Sequence, residues 1–497
     1  MGSDARPRLS NATLARLPAD VERPGYDRSA VRTGVVHLGI GAFHRAHQAA
    51  VFDRILHEDA RWGVLGASLR SPGVRDQLAS QDGLYSLVER DGEAERIRVI
   101  GAVQGVLVAP ESPRALVEAM AGPDVHLVTI TVTEKGYKLD PASGELLDAD
   151  PDIAADLRDR SHPRTAPGFL TAALQLRRER GLAPFTVLSC DNLPHNGARV
   201  RSAVLAMAER IDPRLHEWLS DHGAFPSSMV DRIVPATTSD DVIRLAVRLG
   251  VRDEGMVKTE PFSQWVVEDA FTGERPPLER AGVQITSDVG PWEEAKLRML
   301  NGAHSSLAYL GALAGGEFMH EVIARPAFAG FLERLWEESA TTLRPPERLD
   351  IASYRQALKA RFANAALQHQ TRQIAVDGSQ KLPQRLLNPI TDRLPEGRSI
   401  QALSLGVAAW MRWQVGSDET GRSYLVDDPL ASLTQPRAQA AAPGGGRALA
   451  MTLLGVEQVF SPVLAKNCSF QDSLARHLDR LLNGGAEAAA AAVAAGM

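Results

Sequence analysis

The segment Glu293-Glu294-Ala295-Lys296-Leu297-Arg298-Met299-Leu300-Asn301-Gly302-Ala303-His304 carries side chains able to move a proton. Removing hydride from a carbinol carbon leaves a proton on oxygen, and without a metal a side chain must take it. Lysine can do so once burial lowers its pKa. At ~100° per residue, Glu293, Lys296, Asn301 and His304 fall within an arc of about 140° on one helix face. Lys296 is then the expected base in oxidation and acid in reduction. Asn301 would donate to the developing alkoxide, His304 would fix a neighbouring hydroxyl, and Glu293 would relay the proton to solvent. The alternative is a solvated edge beside a satisfied core histidine. Met299, Leu300, Leu307, Tyr309 and Leu310 weigh against it, because polar groups on a buried helix need partners or a purpose.

A second amide, Asn192, follows the apolar run Phe185 to Cys190, as active-site loops follow strands in open α/β sheets. A helix-capping role for Asp191-Asn192 stays open. Upstream, the run Val35 to Leu38 enters Gly39-Ile40-Gly41-Ala42-Phe43-His44-Arg45. Gly39 suits a tight strand-to-helix turn, Gly41 lets backbone amides approach a pyrophosphate, and Arg45 would add charge. These seven residues form the expected cofactor turn, although His44 replaces the third glycine of the usual fingerprint. Phe43 also reads as core packing. His44 and His47 could be taken for a metal pair, but no third ligand stands nearby and no metal is expected. The second strand ends in Ser68-Leu69-Arg70-Ser71-Pro72 without a carboxylate. NAD is the expected coenzyme, and Arg70 with Ser71 leaves NADP possible.

Positioning these groups takes two kinds of architecture. From Gly34 to about Val289, short apolar runs alternate with helix-like segments, which predicts an α/β sheet with crossover helices. Strands are expected at Val35–Gly41, Trp62–Leu69, Val125–Thr133 and Phe185–Cys190, with LYSLVER and ERIRVIGAV as an antiparallel excursion. After Pro291 the patterns turn helical, and domains are expected at 1–290 and 291–497. Ala440 to Gly446 reads as a flexible surface loop, and the alanine-rich stretch from Gly485 as a frayed helix or disorder.

The formal net charge of −6, from 55 basic and 61 acidic residues, comes without a basic stretch interleaved with aromatics, so no nucleic-acid partner is expected. No apolar run reaches the roughly 18 residues of a membrane span. Cys190 and Cys468 stand alone, which excludes thiolate-rich zinc sites. A cytoplasmic, disulfide-free protein is expected.

Taken together, GIGAFHRAHQ, TVTEKGY, SCDNLPHNG, MVDRIVP, EPFSQWVVED, KLRMLNGAHSSLAYLG and DGSQKLPQR closely resemble the polyol-specific long-chain dehydrogenases, among them mannitol 2-dehydrogenase and fructuronate reductase. The resemblance extends over nearly the whole chain. It implies a Rossmann-type N-terminal domain, a mainly α-helical C-terminal domain, no metal, a monomer, and a polyol, ketose or uronate substrate. By position it makes Lys296 the general acid/base, Asn192 and Asn301 the paired amides, His304 the substrate-positioning histidine and Glu293 the proton gate. Asp231, Arg232 and Lys381 would line the site, with structural ion pairs as the alternative. Two departures stand out: Ser71-Pro72 where mannitol enzymes place an acidic residue, and Gln373 where they place an arginine. DGSQKLPQR is closer to fructuronate reductases, in which Arg372 or Arg385 would meet a substrate carboxylate. The expected pair is D-mannitol and D-fructose, with fructuronate and mannonate as the alternative.

Overall fold

The apolar runs of the N-terminal half form strands because both faces of their sheet are covered, which removes any need for polar alternation. The computed structural model describes residues 6–140, 143–346 and 349–497. Among them the strands are β1 (Thr33–Leu38), β2 (Gly63–Ser68), β3 (Tyr85–Asp91), β4 (Ala94–Ile100), β5 (Val103–Val108), β6 (Leu127–Ile130), β7 (Thr186–Ser189), β8 (Ser228–Asp231), β9 (Val257–Thr259), β10 (Gln264–Glu268) and β11 (Gln284–Thr286). The main sheet has the order β5-β2-β1-β6-β7, with every pairing parallel. Val35, Val64, Leu127 and Leu188 face one apolar layer with helix Gln48–Ile55. Val36, Leu38, Val128 and Val187 face the opposite layer, with helices Pro113–Met120, Ala166–Glu179 and Asn196–Ile211. Helices on both faces and an order that reverses at β1 make this a doubly wound Rossmann-like sheet.

The excursion after β2 pairs antiparallel as expected, but β3 and β4 form their own sheet with β9. The run read as ERIRVIGAV therefore breaks, and its end begins β5 at the edge of the main sheet. Asp53 holds the break, accepting from the Gly101 amide at 2.8 Å. A third sheet joins β10 to β8 and β11.

The chain divides into one unit ending at Gly290 and another starting at Pro291. The second is helical, with its core drawn from Gly302–Leu313, Pro326–Ala340, Gln401–Trp413 and Cys468–Asn483. Two expectations fail here for one reason: small residues mark close helix contact as well as flexibility. Ala440–Gly446 is not a loop but the junction of helices Ala431–Ala441 and Gly445–Leu454 through a single 3-10 turn. A Cβ on Gly446 would sit 2.4 Å from the Ala475 carbonyl oxygen. Gly485–Ala494 is a packed helix whose Ala486, Ala489, Ala490 and Val493 are buried against Pro326–Ala340.

Candidate functional site

The first unit builds a glycine turn where β1 leaves the sheet. Gly39 has φ +98°, and a Cβ there would meet the Thr131 carbonyl oxygen at 2.1 Å. The fold itself demands glycine at that position. Gly41 is different: it is exposed, and the nearest atom to an added Cβ is 3.8 Å away. A bare backbone at the carboxyl edge of a parallel sheet, where strand order reverses, fits a dinucleotide pyrophosphate. Ala42 and Phe43 continue the turn half-buried. Ile40 contributes only main chain, because its side chain is buried against Gly66. Arg70 is exposed two residues beyond β2.

Two imidazoles lie beneath the turn. His37 Nδ1 is 2.7 Å from Thr129 Oγ1, and its Nε2 is 3.0 Å from Thr131 Oγ1. His44 stacks on His37 at 3.4 Å. Burial drives His37 down to about 3 and His44 well below its ordinary value, so both are neutral. His47 spends Nε2 on the Gln264 carbonyl at 2.9 Å and Nδ1 on the Gln48 amide at 3.0 Å. The two histidines of the turn therefore do not converge as a metal pair. Among the described residues no three His, Cys, Asp or Glu side chains gather as a metal site.

Two expected ligands make structural contacts. Arg45, expected to add charge at the turn, is buried over the Tyr85 ring at 5.7 Å and donates to the Gly255 and Gly41 carbonyls. Arg232 is also buried. Its guanidinium pairs with Glu89 at 2.5 Å and donates to the Ala46 and Glu260 carbonyls, the structural ion pair that the sequence offered as the alternative to a substrate contact. Asp231 is buried at the end of β8, opposite Gln264. Asn192 is exposed on the turn just beyond β7.

In the second unit, Glu293 lies on helix Gly290–Ala295, and Lys296–Asn301 is a π-helical turn leading into Gly302–Leu313. A π turn absorbs one extra residue, so Asn301 and His304 each step back by ~100° relative to a plain α-helix. The four side chains then span about 80° instead of 140°, a tighter cluster than even spacing predicts. The turn is pinned from outside: Trp336 Nε1 donates to the Met299 carbonyl at 2.8 Å and Arg385 Nη1 to the Asn301 carbonyl at 3.4 Å. Arg385 belongs to a second π turn, Pro383–Leu387, and a Cβ on Gly302 would meet its carbonyl at 2.9 Å. π turns recur at functional sites.

Glu293, Lys296 and Asn301 are all buried. Asn301 Nδ2 and His304 Nε2 find no hydrogen-bond partner among the described residues. His304 stacks on Phe362 at 5.4 Å and meets His369 edge-on at 4.8 Å, and the His369 Nδ1 is likewise buried with no hydrogen-bond partner among the described residues. Burial pushes His369 down to about 4. Burial, followed by His369 and the cations Arg385, Arg361 and Lys381, holds His304 well below its ordinary value. His369 is the residue that sequence reasoning missed, since neither motif nor spacing ties it to His304.

Lys381 donates to the Val376 carbonyl at 2.6 Å, and burial with Arg385 nearby lowers it to about 8. Arg385 donates to Ser305 Oγ at 2.8 Å and is lowered to about 10 by burial. No described carboxylate lies within ion-pair distance of it. Arg372 is not part of this group: it is exposed over the Tyr424 ring at 5.3 Å, with Asp418 at 3.9 Å.

The mannitol dehydrogenase Rossmann domain matches residues 33–280, and the mannitol dehydrogenase C-terminal domain matches residues 288–482. The uncharacterized oxidoreductase YeiQ of Escherichia coli (strain K12) is 44% identical over 97% of this chain and 99% of its own length. D-mannonate oxidoreductase of the same strain is 42% identical over 97% of this chain and 100% of its own length. Mannitol 2-dehydrogenase of Pseudomonas fluorescens, solved as a ternary complex with NAD and D-mannitol, superposes with a TM-score of 0.87 at 38% identity, covering 98% of this chain and 99% of that one. With its parallel sheet, glycine turn and lysine-bearing helix, the chain belongs to the mannitol dehydrogenase family of oxidoreductases acting on CH–OH groups.

Proposed function

We propose that this chain is a metal-independent, NAD-dependent dehydrogenase that interconverts a secondary alcohol of an open-chain sugar alcohol with its 2-keto sugar, D-mannitol and D-fructose being the first pair to test. One observation carries the reading. Asn301 Nδ2 and His304 Nε2 on the lysine-bearing helix, and His369 Nδ1 on the ring that meets His304, are buried with no hydrogen-bond partner among the described residues. Leaving such groups unpaired costs about 1–3 kcal/mol each, and a polyhydroxylated chain is the kind of ligand that satisfies all three.

Lys296 takes the proton from the reacting hydroxyl in oxidation and returns it in reduction. Asn301 donates to the oxygen as negative charge grows, and Asn192 is the second amide of this reading. Neutral His304 and His369 each donate to or accept from a flanking hydroxyl, which fixes the carbon that reacts. Glu293 precedes Lys296 by one helical turn and passes the proton onward. The Gly39–Ala42 turn holds the coenzyme's pyrophosphate on backbone amides. Bound nicotinamide supplies the hydride acceptor.

A second reading, reduction of a 2-keto sugar acid, is favoured by Arg385 and Lys381, two part-buried cations of which Arg385 has no carboxylate within ion-pair distance among the described residues. Purified protein assayed with NAD, NADP and their reduced forms against polyols, ketoses and uronates, with and without a strong chelator, separates these readings. Mannitol and fructose turnover with NAD that survives the chelator is expected. Turnover of fructuronate with negligible fructose reduction selects the second reading, and loss of activity to the chelator removes the lysine-only mechanism.

A further inference from the structure

The carboxyl end of β6 carries a backbone conformation that a β-branched residue adopts only under constraint. Thr133 has φ +68° and ψ 165°. Such strain persists only where surrounding structure over-determines it. The constraint is a single buried carboxylate just beyond β7. Asp191 Oδ2 accepts from the Val132 amide at 3.1 Å and Oδ1 from the Thr133 amide at 3.0 Å. Tyr137 Oη donates to the same carboxylate at 2.7 Å. Asp191 is itself fixed, because Asn196 Nδ2 donates to its carbonyl at 2.9 Å and to that of Ser228 at 2.7 Å.

A trans peptide points its carbonyl opposite its N–H. With the Val132 N–H drawn to Asp191, the Thr131 carbonyl must face away, and its oxygen is the atom that an added Cβ on Gly39 would strike. Thr131 Oγ1 also donates to the Gly39 carbonyl at 2.8 Å. One carboxylate therefore sets both the strained Thr133 backbone and the wall of the glycine turn beside it.

We infer that Asp191 is a positioning residue for the coenzyme: through the Val132 and Thr133 amides it holds the 131–133 backbone, half-buried at Thr131 and Val132 and exposed at Thr133, in the shape that walls the Gly39 turn on which the coenzyme's pyrophosphate would rest. The inference rests on the coenzyme reading given above and adds to it a residue that touches neither coenzyme nor substrate. An asparagine at 191 cannot accept both amides, since one arm of its side chain is a donor. Glycine at 133 adopts the required φ without strain, so it removes the need for the clamp.

The test is NADH binding to the full chain without substrate, by fluorescence titration, with melting temperature recorded in parallel. Asp191→Asn is expected to weaken NADH about tenfold or more. Asp191→Asn with Thr133→Gly is expected to return to within about threefold of wild type while the melting temperature stays low. Thr133→Pro forbids φ +68° and removes one clamped N–H without touching Asp191, and it is expected to weaken NADH as Asp191→Asn does. Wild-type affinity in either single variant overturns the inference, as does a double variant that regains melting temperature but not affinity. If wild-type protein binds no NADH, the coenzyme reading falls first and this inference with it.

Discussion

Replacing Lys381 with methionine should make the protein more stable near neutrality while impairing it as an enzyme. An amine whose midpoint drops from 10.5 to about 8 on folding costs the folded state about 3.4 kcal/mol wherever both states are protonated, at about 1.36 kcal/mol per tenfold. The folded chain binds its proton less tightly than the unfolded chain, so this cost is full below pH 8 and fades as pH rises towards 10.5. At pH 6.5 it stands near 3.4 kcal/mol and at pH 9.5 near 1.4 kcal/mol, roughly. Methionine keeps the volume and forgoes the charge, but it also forgoes the hydrogen bond to Val376, worth about 1.5–3 kcal/mol for a charged donor. A net gain of about 1 kcal/mol is expected at pH 6.5. The variant's advantage should shrink by about 2 kcal/mol from pH 6.5 to pH 9.5, whatever the hydrogen bond contributes. Urea unfolding of both proteins at the two pH values measures it, with KM for the polyol as the functional readout. A stability difference that does not change with pH would show that Lys381 is not held near its neutral point and would refute the reasoning.

Lys296→Ala should lower turnover by about 10²–10⁴ at neutral pH while NADH affinity stays near wild type, and equal rates would remove Lys296 from the mechanism. Gly39→Ala and Gly41→Ala should diverge: the first drives a Cβ to 2.1 Å from a carbonyl oxygen and should cost about 2–5 kcal/mol in urea unfolding. Gly41→Ala should leave stability within about 0.5 kcal/mol and weaken NADH instead. Arg232→Met strands Glu89 and should destabilise by about 3–5 kcal/mol without changing KM. A changed KM at unchanged stability would return Arg232 to the substrate.

The four main strands were legible because burial on both faces writes an unbroken apolar run, and β1 with its glycines declared its own turn. The edge strand β5 was not, because its signal merged with β4 and the break depends on Asp53, far upstream in sequence. The lysine helix was legible as a face, yet its π turn was not: the groups that stabilise it, Trp336 and Arg385, come from other helices. His369 lacked any local signal, since it reaches His304 only through tertiary packing. Arg45 and Arg232 misled for the opposite reason. A guanidinium beside a motif reads as a ligand, and only the structure shows that carbonyls and Glu89 already occupy it.

The stacked pair His37 and His44 has a practical consequence for enzymology. Because burial keeps both rings uncharged far into acid, a coenzyme diphosphate seated on the amides above them, as proposed, would gain no help from imidazolium. Its attraction to the turn is unaltered by these two rings from pH 5 to pH 8 or so. Inflections in a rate profile across that interval then originate elsewhere, and a kineticist can look for their source among the amines and imidazoles of the second unit.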